Sequence, residues 1–181
     1  MSGGMDKLLA DLVWPERSYA RSTNIELDNR KPEGVPDYKF TSKSLRFLDD
    51  ILDSIEGIRR DRAWSLIGPY GSGKSTFVLF LLQQLCGASS HWLERCLVQL
   101  GLVSPEIQQR LSRRIIESGV RYIPIVVQGS RVPLDLALCK ALFKAATDED
   151  RDTRWVSESF LSSLNIAIQT IEAGLAIPVS L

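Results

Sequence analysis

A glycine-rich turn between a short apolar run and a long apolar helix constrains the fold of this chain more than any other feature. The stretch "SLIGPYGSGKSTFVLFLLQQL" occupies residues 65–85. Glycine adopts backbone conformations closed to other residues, so successive N–H groups in such a turn can point inward around an anion. The following helix presents its positive end to the same point. The stretch therefore predicts a phosphate-binding loop between a buried strand and a helix.

The loop matches the pattern G-x-x-x-x-G-K-[ST] at Gly68, Gly73, Lys74 and Ser75. In this pattern the lysine reaches the β- and γ-phosphates of a nucleotide and the hydroxyl after it ligates Mg²⁺. We therefore predict Ser75 as the magnesium ligand. The predicted nucleotide-binding residues are Gly68, Pro69, Tyr70, Gly71, Ser72, Gly73, Lys74, Ser75 and Thr76.

Two residues of this set have an alternative interpretation. Tyr70 either stacks on a ligand or serves only packing or solvent contact. Thr76 either contacts the α-phosphate or is an ordinary helix hydroxyl. The residue pattern leaves both alternatives open.

Apolar periodicity predicts further helices and a second strand. "TSKSLRFLDDILDSIEGI", from residue 41, is amphipathic at three-and-four spacing. Helices are also predicted at 89–102, from Ser104-Pro105-Glu106 onward, at 132–147 and at 157–174. Strands are predicted at 63–68 and 122–130, and a third begins in the tail "LAIPVSL". Strands separated by helices predict an α/β fold with a parallel sheet.

Length and composition favour one ordinary globular domain. Residues 1–40 are irregular and predict an N-terminal arm, whereas residues 41–181 form the predicted nucleotide-binding domain. Lys+Arg and Asp+Glu are both 22, so net charge gives no general attraction to nucleic acid or membranes. Three widely spaced cysteines, no apolar span of 18 residues and no signal-peptide pattern favour a cytoplasmic protein.

The loop "GPYGSGKST" resembles the Walker A element of the P-loop NTPases. The amphipathic helix directly before the loop strand resembles AAA-type, origin-recognition-type and STAND-type ATPases, over roughly residues 41–147. The resemblance implies a three-layer α/β fold around a parallel sheet, with extra helices, and Mg²⁺ and ATP as ligands. No motif in the chain specifies the base, and adenine follows from the resemblance alone.

One element that the resemblance implies is missing. A second strand should end in an acidic residue that holds Mg²⁺ and activates water, yet "YIPIVVQGS" ends without one. Asp135 follows Pro133 at a helix start, where the helix dipole alone explains an acid. We therefore expect an incomplete P-loop domain, the N-terminal part of a larger ATPase, with other subunits or further sequence as partners. The alternatives are a small-molecule or nucleotide kinase and a non-hydrolysing P-loop regulatory protein.

Other candidate groups carry weaker signals. Arg59, Arg60 and Arg62 form one basic cluster, and residues 110, 113 and 114 form another. A solvated surface explains them better than a nucleic-acid site, because no aromatic residues are interleaved with them. His91 is the only histidine, which argues against a zinc site.

Overall fold

A computed structural model describes residues 22–35, 37–86, 89–113, 122–129, 131–148 and 156–174. The chain divides into two compact units, Met1–Tyr122 and Ile123–Leu181. In the described ranges each unit consists of helices joined by irregular segments. The predicted third strand at the C-terminus and the first half of the predicted arm lie outside the described residues.

The described part of the first unit contains five α-helices and one 3-10 turn at Pro32–Gly34. The helices are α1 Ile25–Asp28, α2 Ser42–Ile55, α3 Lys74–Leu85, α4 His91–Val103 and α5 Pro105–Ser112. The last four occupy the positions that apolar periodicity predicts. Their agreement with the sequence follows from local signals, of which α2 gives the clearest example.

Helix α2 begins and ends at residues suited to those positions. Thr41 and Ser44 form a capping box, in which the Ser44 N–H donates to Thr41 Oγ1 over 3.2 Å and the Thr41 N–H donates to Ser44 Oγ over 2.8 Å. At the other end Gly57 has a φ of 81°. The N–H groups of Gly57 and Ile58 then donate to the carbonyls of Ser54 and Asp53, which is a Schellman motif.

The core of the first unit forms around α3. Phe77, Leu79 and Phe80 are buried against Leu48 of α2 and Trp92 of α4 within one hydrophobic cluster. Aromatic rings then extend the cluster toward the loop that precedes α3. The ring pairs are Tyr38–Phe40, Tyr38–Phe77, Phe40–Phe80 and Phe47–Phe77, with centroids 5.0–5.8 Å apart.

The described part of the second unit contains two helices that pack against each other, α6 Leu134–Ala146 and α7 Glu158–Glu172. Both lie where the sequence predicts helices. Leu136, Ala145, Ala146 and Leu164 are buried, and Lys140 pairs with Glu172 over 2.6 Å at the surface of the two helices.

The predicted α/β fold with a parallel sheet is wrong for the described residues. No β-strand occurs among them, and the runs predicted as strands, 63–68 and 122–130, are irregular wherever they are described. Ile67 is 89% exposed and Trp64 is 40% exposed, whereas a strand inside a parallel sheet is covered on both faces.

The physical reason lies in pairing. An apolar run becomes a strand only when a neighbour supplies its ladder of hydrogen bonds, and neither run has such a ladder in the described structure. One backbone bond joins the Tyr122 N–H to the Leu85 carbonyl at 3.1 Å, at the end of α3. Composition identified residues of high strand propensity without identifying a partner for them.

No helix in the described ranges combines the length and the apolar character needed to cross a membrane.

Candidate functional site

The predicted phosphate loop is a tight turn held by two glycines. Gly71 has a φ of 76° and Gly73 a φ of 78°, both in the left-handed region that other residues enter only at a cost. Between them the Ser72 N–H points back to the Pro69 carbonyl at 3.4 Å. The glycines are therefore required by the conformation, as the sequence pattern predicts.

The loop leads directly into the N-terminus of α3. Gly73 is the N-cap of this helix, and no side chain caps it. The first bond across the turn runs from the Phe77 N–H to the Gly73 carbonyl at 2.9 Å. The N–H groups of Lys74, Ser75 and Thr76 precede that bond and so have no partner within the helix. Three donors at the positive end of a twelve-residue helix are thus free to receive an anion.

The side chain of Lys74 curls back over the loop. Its ammonium donates to the carbonyls of Gly68 at 2.8 Å and Pro69 at 2.6 Å, and lies 3.3 Å from Ser72 Oγ. These acceptors are neutral, and Lys74 forms no ion pair in the described part of the chain. The positive charge consequently stays available to an anion bound in the loop.

The aromatic ring of Tyr38 packs against the loop. A Cβ placed on Gly73 would lie 3.4 Å from Cε2 of Tyr38, so the tyrosine ring lies directly against the turn. Tyr38 is buried, and this burial raises the pKa of its hydroxyl above the ordinary value. The ring also contacts Phe77, one turn into α3. The start of the helix and the loop are therefore fixed to the same core.

The hydroxyl of Ser75, the predicted magnesium ligand, makes no hydrogen bond among the described residues. Across those same residues, no group of three or more His, Cys, Asp or Glu side chains has an arrangement that would hold a metal ion. The described residues therefore add no acidic or histidine cluster to the Ser75 hydroxyl as metal ligands. Mg²⁺ binds through few protein ligands when phosphate oxygens supply the others, so Ser75 fits a metal that arrives with a nucleotide.

Residues 22–23 lie at the loop, which the sequence does not predict. Ser22 Oγ lies 2.5 Å from the hydroxyl of Tyr70, and Thr23 Oγ1 lies 3.1 Å from Thr76 Oγ1. Tyr70 remains 92% exposed despite this contact. The only local signal in this segment is Asn24, a favourable helix cap, and its position says nothing about contact with residues about 50 positions away.

Three arginines of the basic clusters make structural contacts, and residue 114 lies outside the described residues. Arg110 pairs with Asp49, Asp53 and Glu56, and Arg59 pairs with Asp50 at 2.9 Å. Arg62 donates to the carbonyl of Ser54 at 2.9 Å. These contacts join α2 to α5 and to the segment after α2.

The two remaining candidate residues, Asp135 and His91, each lie in the first turn of a helix. Asp135 accepts from the Leu136 N–H at 2.8 Å in the first turn of α6. His91 lies at the surface, 3.3 Å from Glu94 in the first turn of α4. Helix-end electrostatics accounts for the acids at both places.

The chain has no match among protein-family models, curated proteins or solved structures.

Proposed function

We propose that this chain binds a nucleoside triphosphate with Mg²⁺, with ATP as the favoured nucleotide, through residues 68–76. One observation carries the proposal: α3 starts at a left-handed glycine without a side-chain cap, beside a lysine whose hydrogen bonds to described residues all go to neutral groups. Open N–H groups, the helix dipole and a cation therefore converge on one exposed loop. Together these features suit the phosphates of a nucleotide.

In this proposal each group of the loop has a distinct task. The N–H groups around Gly73 hold the phosphate oxygens, and Lys74 leaves the Gly68 and Pro69 carbonyls to reach the terminal phosphates. The Ser75 hydroxyl contributes one ligand to the magnesium ion. The preference for adenine rests on the resemblance to AAA- and STAND-type ATPases.

We propose binding without turnover for this chain on its own. Hydrolysis needs a carboxylate that orients water or metal beside the terminal phosphate, and no described carboxylate pairs with Lys74. A partner subunit or additional sequence would have to bring that acid. The setting we propose is a cytoplasmic ATPase assembly in which nucleotide binding changes the conformation.

The direct test is calorimetric titration of the chain with Mg-ATP, comparing the wild type with Lys74→Ala. Losing charge-assisted hydrogen bonds of about 1.5–3 kcal/mol should weaken binding by roughly 10- to 150-fold. Lys140→Ala is the matched control, because it removes the same charge from α6 in the second unit. We expect its dissociation constant to stay within about twofold of the wild type, since it touches no part of the loop.

Two results would contradict the proposal. Equal affinity of Lys74→Ala and wild type for Mg-ATP would show that the loop is not the site. Phosphate release by the wild type well above the Lys74→Ala background would show that the chain completes a hydrolytic site by itself. Titrations with GTP in place of ATP test the base preference separately.

A further inference from the structure

Residues 22–29 form a segment that follows α3 along its length, and we call this segment the strap. At one end Gln83 Nε2 donates to the backbone carbonyl of Asn29 at 2.6 Å and to its side-chain Oδ1 at 2.9 Å. At the other end Thr23 Oγ1 lies 3.1 Å from Thr76 Oγ1. The strap is thus anchored near the end of α3 and reaches the helix start, beside the phosphate loop.

Local hydrogen bonds stabilise the conformation of the strap. The side chain of Asn24 accepts from the N–H groups of Glu26 at 3.1 Å and Leu27 at 3.2 Å, which caps α1. The Asn24 N–H in turn donates to Asp28 Oδ2 at 2.7 Å, and Asp28 is buried. This bracing presents the hydroxyls of Ser22 and Thr23 to the loop as a pair.

Both loop partners of the strap belong to the predicted nucleotide site. Thr76 is the third residue of α3, and its N–H is one of the open donors of the helix start. Its hydroxyl shares a hydrogen bond with the Thr23 hydroxyl. Tyr70, at the tip of the turn, is held by Ser22. A phosphate that approaches the helix start and engages the Thr76 hydroxyl meets Thr23 where it would bind.

We propose that the strap is an autoinhibitory element of the nucleotide site, and this inference rests on the proposed function. The nucleotide binds a state in which Thr23 has left Thr76 and Ser22 has left Tyr70. When the competent state is only a fraction of the population, the apparent affinity falls by that fraction. Nucleotide binding and release of the strap are therefore coupled, and each promotes the other.

The test compares Mg-ATP affinity of the wild type with Thr23→Val, which keeps the shape of the side chain and removes its hydroxyl. Losing one hydrogen bond of the closed state should tighten nucleotide binding about two- to tenfold. Ser22→Ala, which frees Tyr70, should act in the same direction. Because both positions lie at the surface end of the strap, the variants should fold, and their melting temperatures check this.

A second measurement follows the strap itself. Saturating Mg-ATP should accelerate hydrogen exchange at the backbone amides of residues 26–29 in the wild type, because α1 has only four residues and should fray once it no longer packs against α3. Thr23→Val should exchange faster there even without nucleotide. Thr170→Val is the matched control: its hydroxyl bonds to the Ile166 carbonyl within α7 at 2.8 Å, in the other unit.

The outcomes separate this inference from the proposed function. Tighter binding by Thr23→Val and faster exchange of the strap support the inference. Suppose that Lys74→Ala weakens Mg-ATP binding but Thr23→Val leaves it unchanged or weaker. The autoinhibitory role of the strap is then wrong, whereas the proposed nucleotide site still holds. If wild type and Thr23→Val both fail to bind Mg-ATP, the proposed function is wrong and the strap role is overturned with it.

Discussion

The guanidinium of Arg110 on α5 donates to the carboxylate of Asp53 on α2 over 2.8 Å. Glu56 accepts from the same nitrogen at 2.8 Å, and Asp49 accepts from the other terminal nitrogen. The hydrogen bond to Glu56 is the largest cause that raises the pKa of Arg110, which therefore stays charged. One cation thus joins two acids of α2 and its C-cap residue, Glu56, to α5.

Replacing Arg110 should weaken the packing of α5 against α2 and so lower the unfolding free energy. Arg110→Met keeps the apolar stem and removes the cation from Asp49 and Glu56, whereas Asp53 keeps the Arg59 guanidinium at 3.7 Å. The Arg110 side chain is 22% exposed, so the cost should fall between surface pairs and fully buried pairs, at about 1–3 kcal/mol of unfolding free energy. Urea denaturation measures it. The difference from wild type should shrink in 1 M salt, because salt screens partly exposed charges.

Arg46→Met is the control for this prediction. Arg46 lies on the exposed face of α2, so its replacement should change stability by less than about 0.5 kcal/mol. If Arg110→Met and Arg46→Met have the same stability, the cluster contributes nothing beyond ordinary surface charge.

Gly73 should be needed for the shape of the phosphate loop. Gly73→Ala places a Cβ on a left-handed residue, which costs roughly 1–2 kcal/mol, and brings that Cβ to 3.4 Å from Tyr38. Gly57→Ala is the matched control, because Gly57 has a φ of 81° and open space around it. Both variants should lose similar stability in thermal unfolding, but only Gly73→Ala should also lose Mg-ATP affinity. Wild-type nucleotide affinity in Gly73→Ala would show that the turn geometry is not required.

The exposure of Ile67 gives a direct test of the finding that residues 63–68 do not form a buried strand. Because this side chain is 89% exposed, Ile67→Lys should change the unfolding free energy by less than about 0.5 kcal/mol. Leu79→Ala, at a fully buried position of α3, should cost about 2–5 kcal/mol in the same denaturation experiment. If Ile67→Lys is as damaging as Leu79→Ala, residues 63–68 are buried after all and the sheet must be reconsidered.

The helices and the loop could be predicted because their signals are local. The capping box of Thr41 and Ser44 lies within four residues, and the conformations of Gly71 and Gly73 follow from their position in the turn. The lack of a sheet among the described residues could not be predicted, because strand pairing depends on a distant neighbour that composition does not identify. The contact of Thr23 with Thr76 is also non-local, 53 residues apart, and no spacing rule reaches it.

Cys96 should make the first unit less stable as the pH rises above about 9. Its side chain is fully buried on α4 and accepts from the Tyr38 N–H, and burial is the main cause that raises the pKa of the thiol from 9.0 to about 11. Well below pH 9 the thiol is neutral in both the folded and the unfolded chain, so Cys96 does not lower the unfolding free energy there. As the pH rises from about 9 to 11, the unfolded chain ionises first and stability falls.

At about 1.4 kcal/mol per pKa unit, the pH-dependent loss that is due to Cys96 should reach roughly 2–3 kcal/mol by pH 11. Urea denaturation at pH 8, 9, 10 and 11 measures this loss for wild type and for Cys96→Ala, which lacks the buried thiol and should lose correspondingly less. Cys139→Ala, in the second unit, retains the buried thiol and should follow the wild-type pH dependence. Identical slopes for wild type and Cys96→Ala would show that the Cys96 thiol ionises as readily in the folded protein as in the unfolded chain.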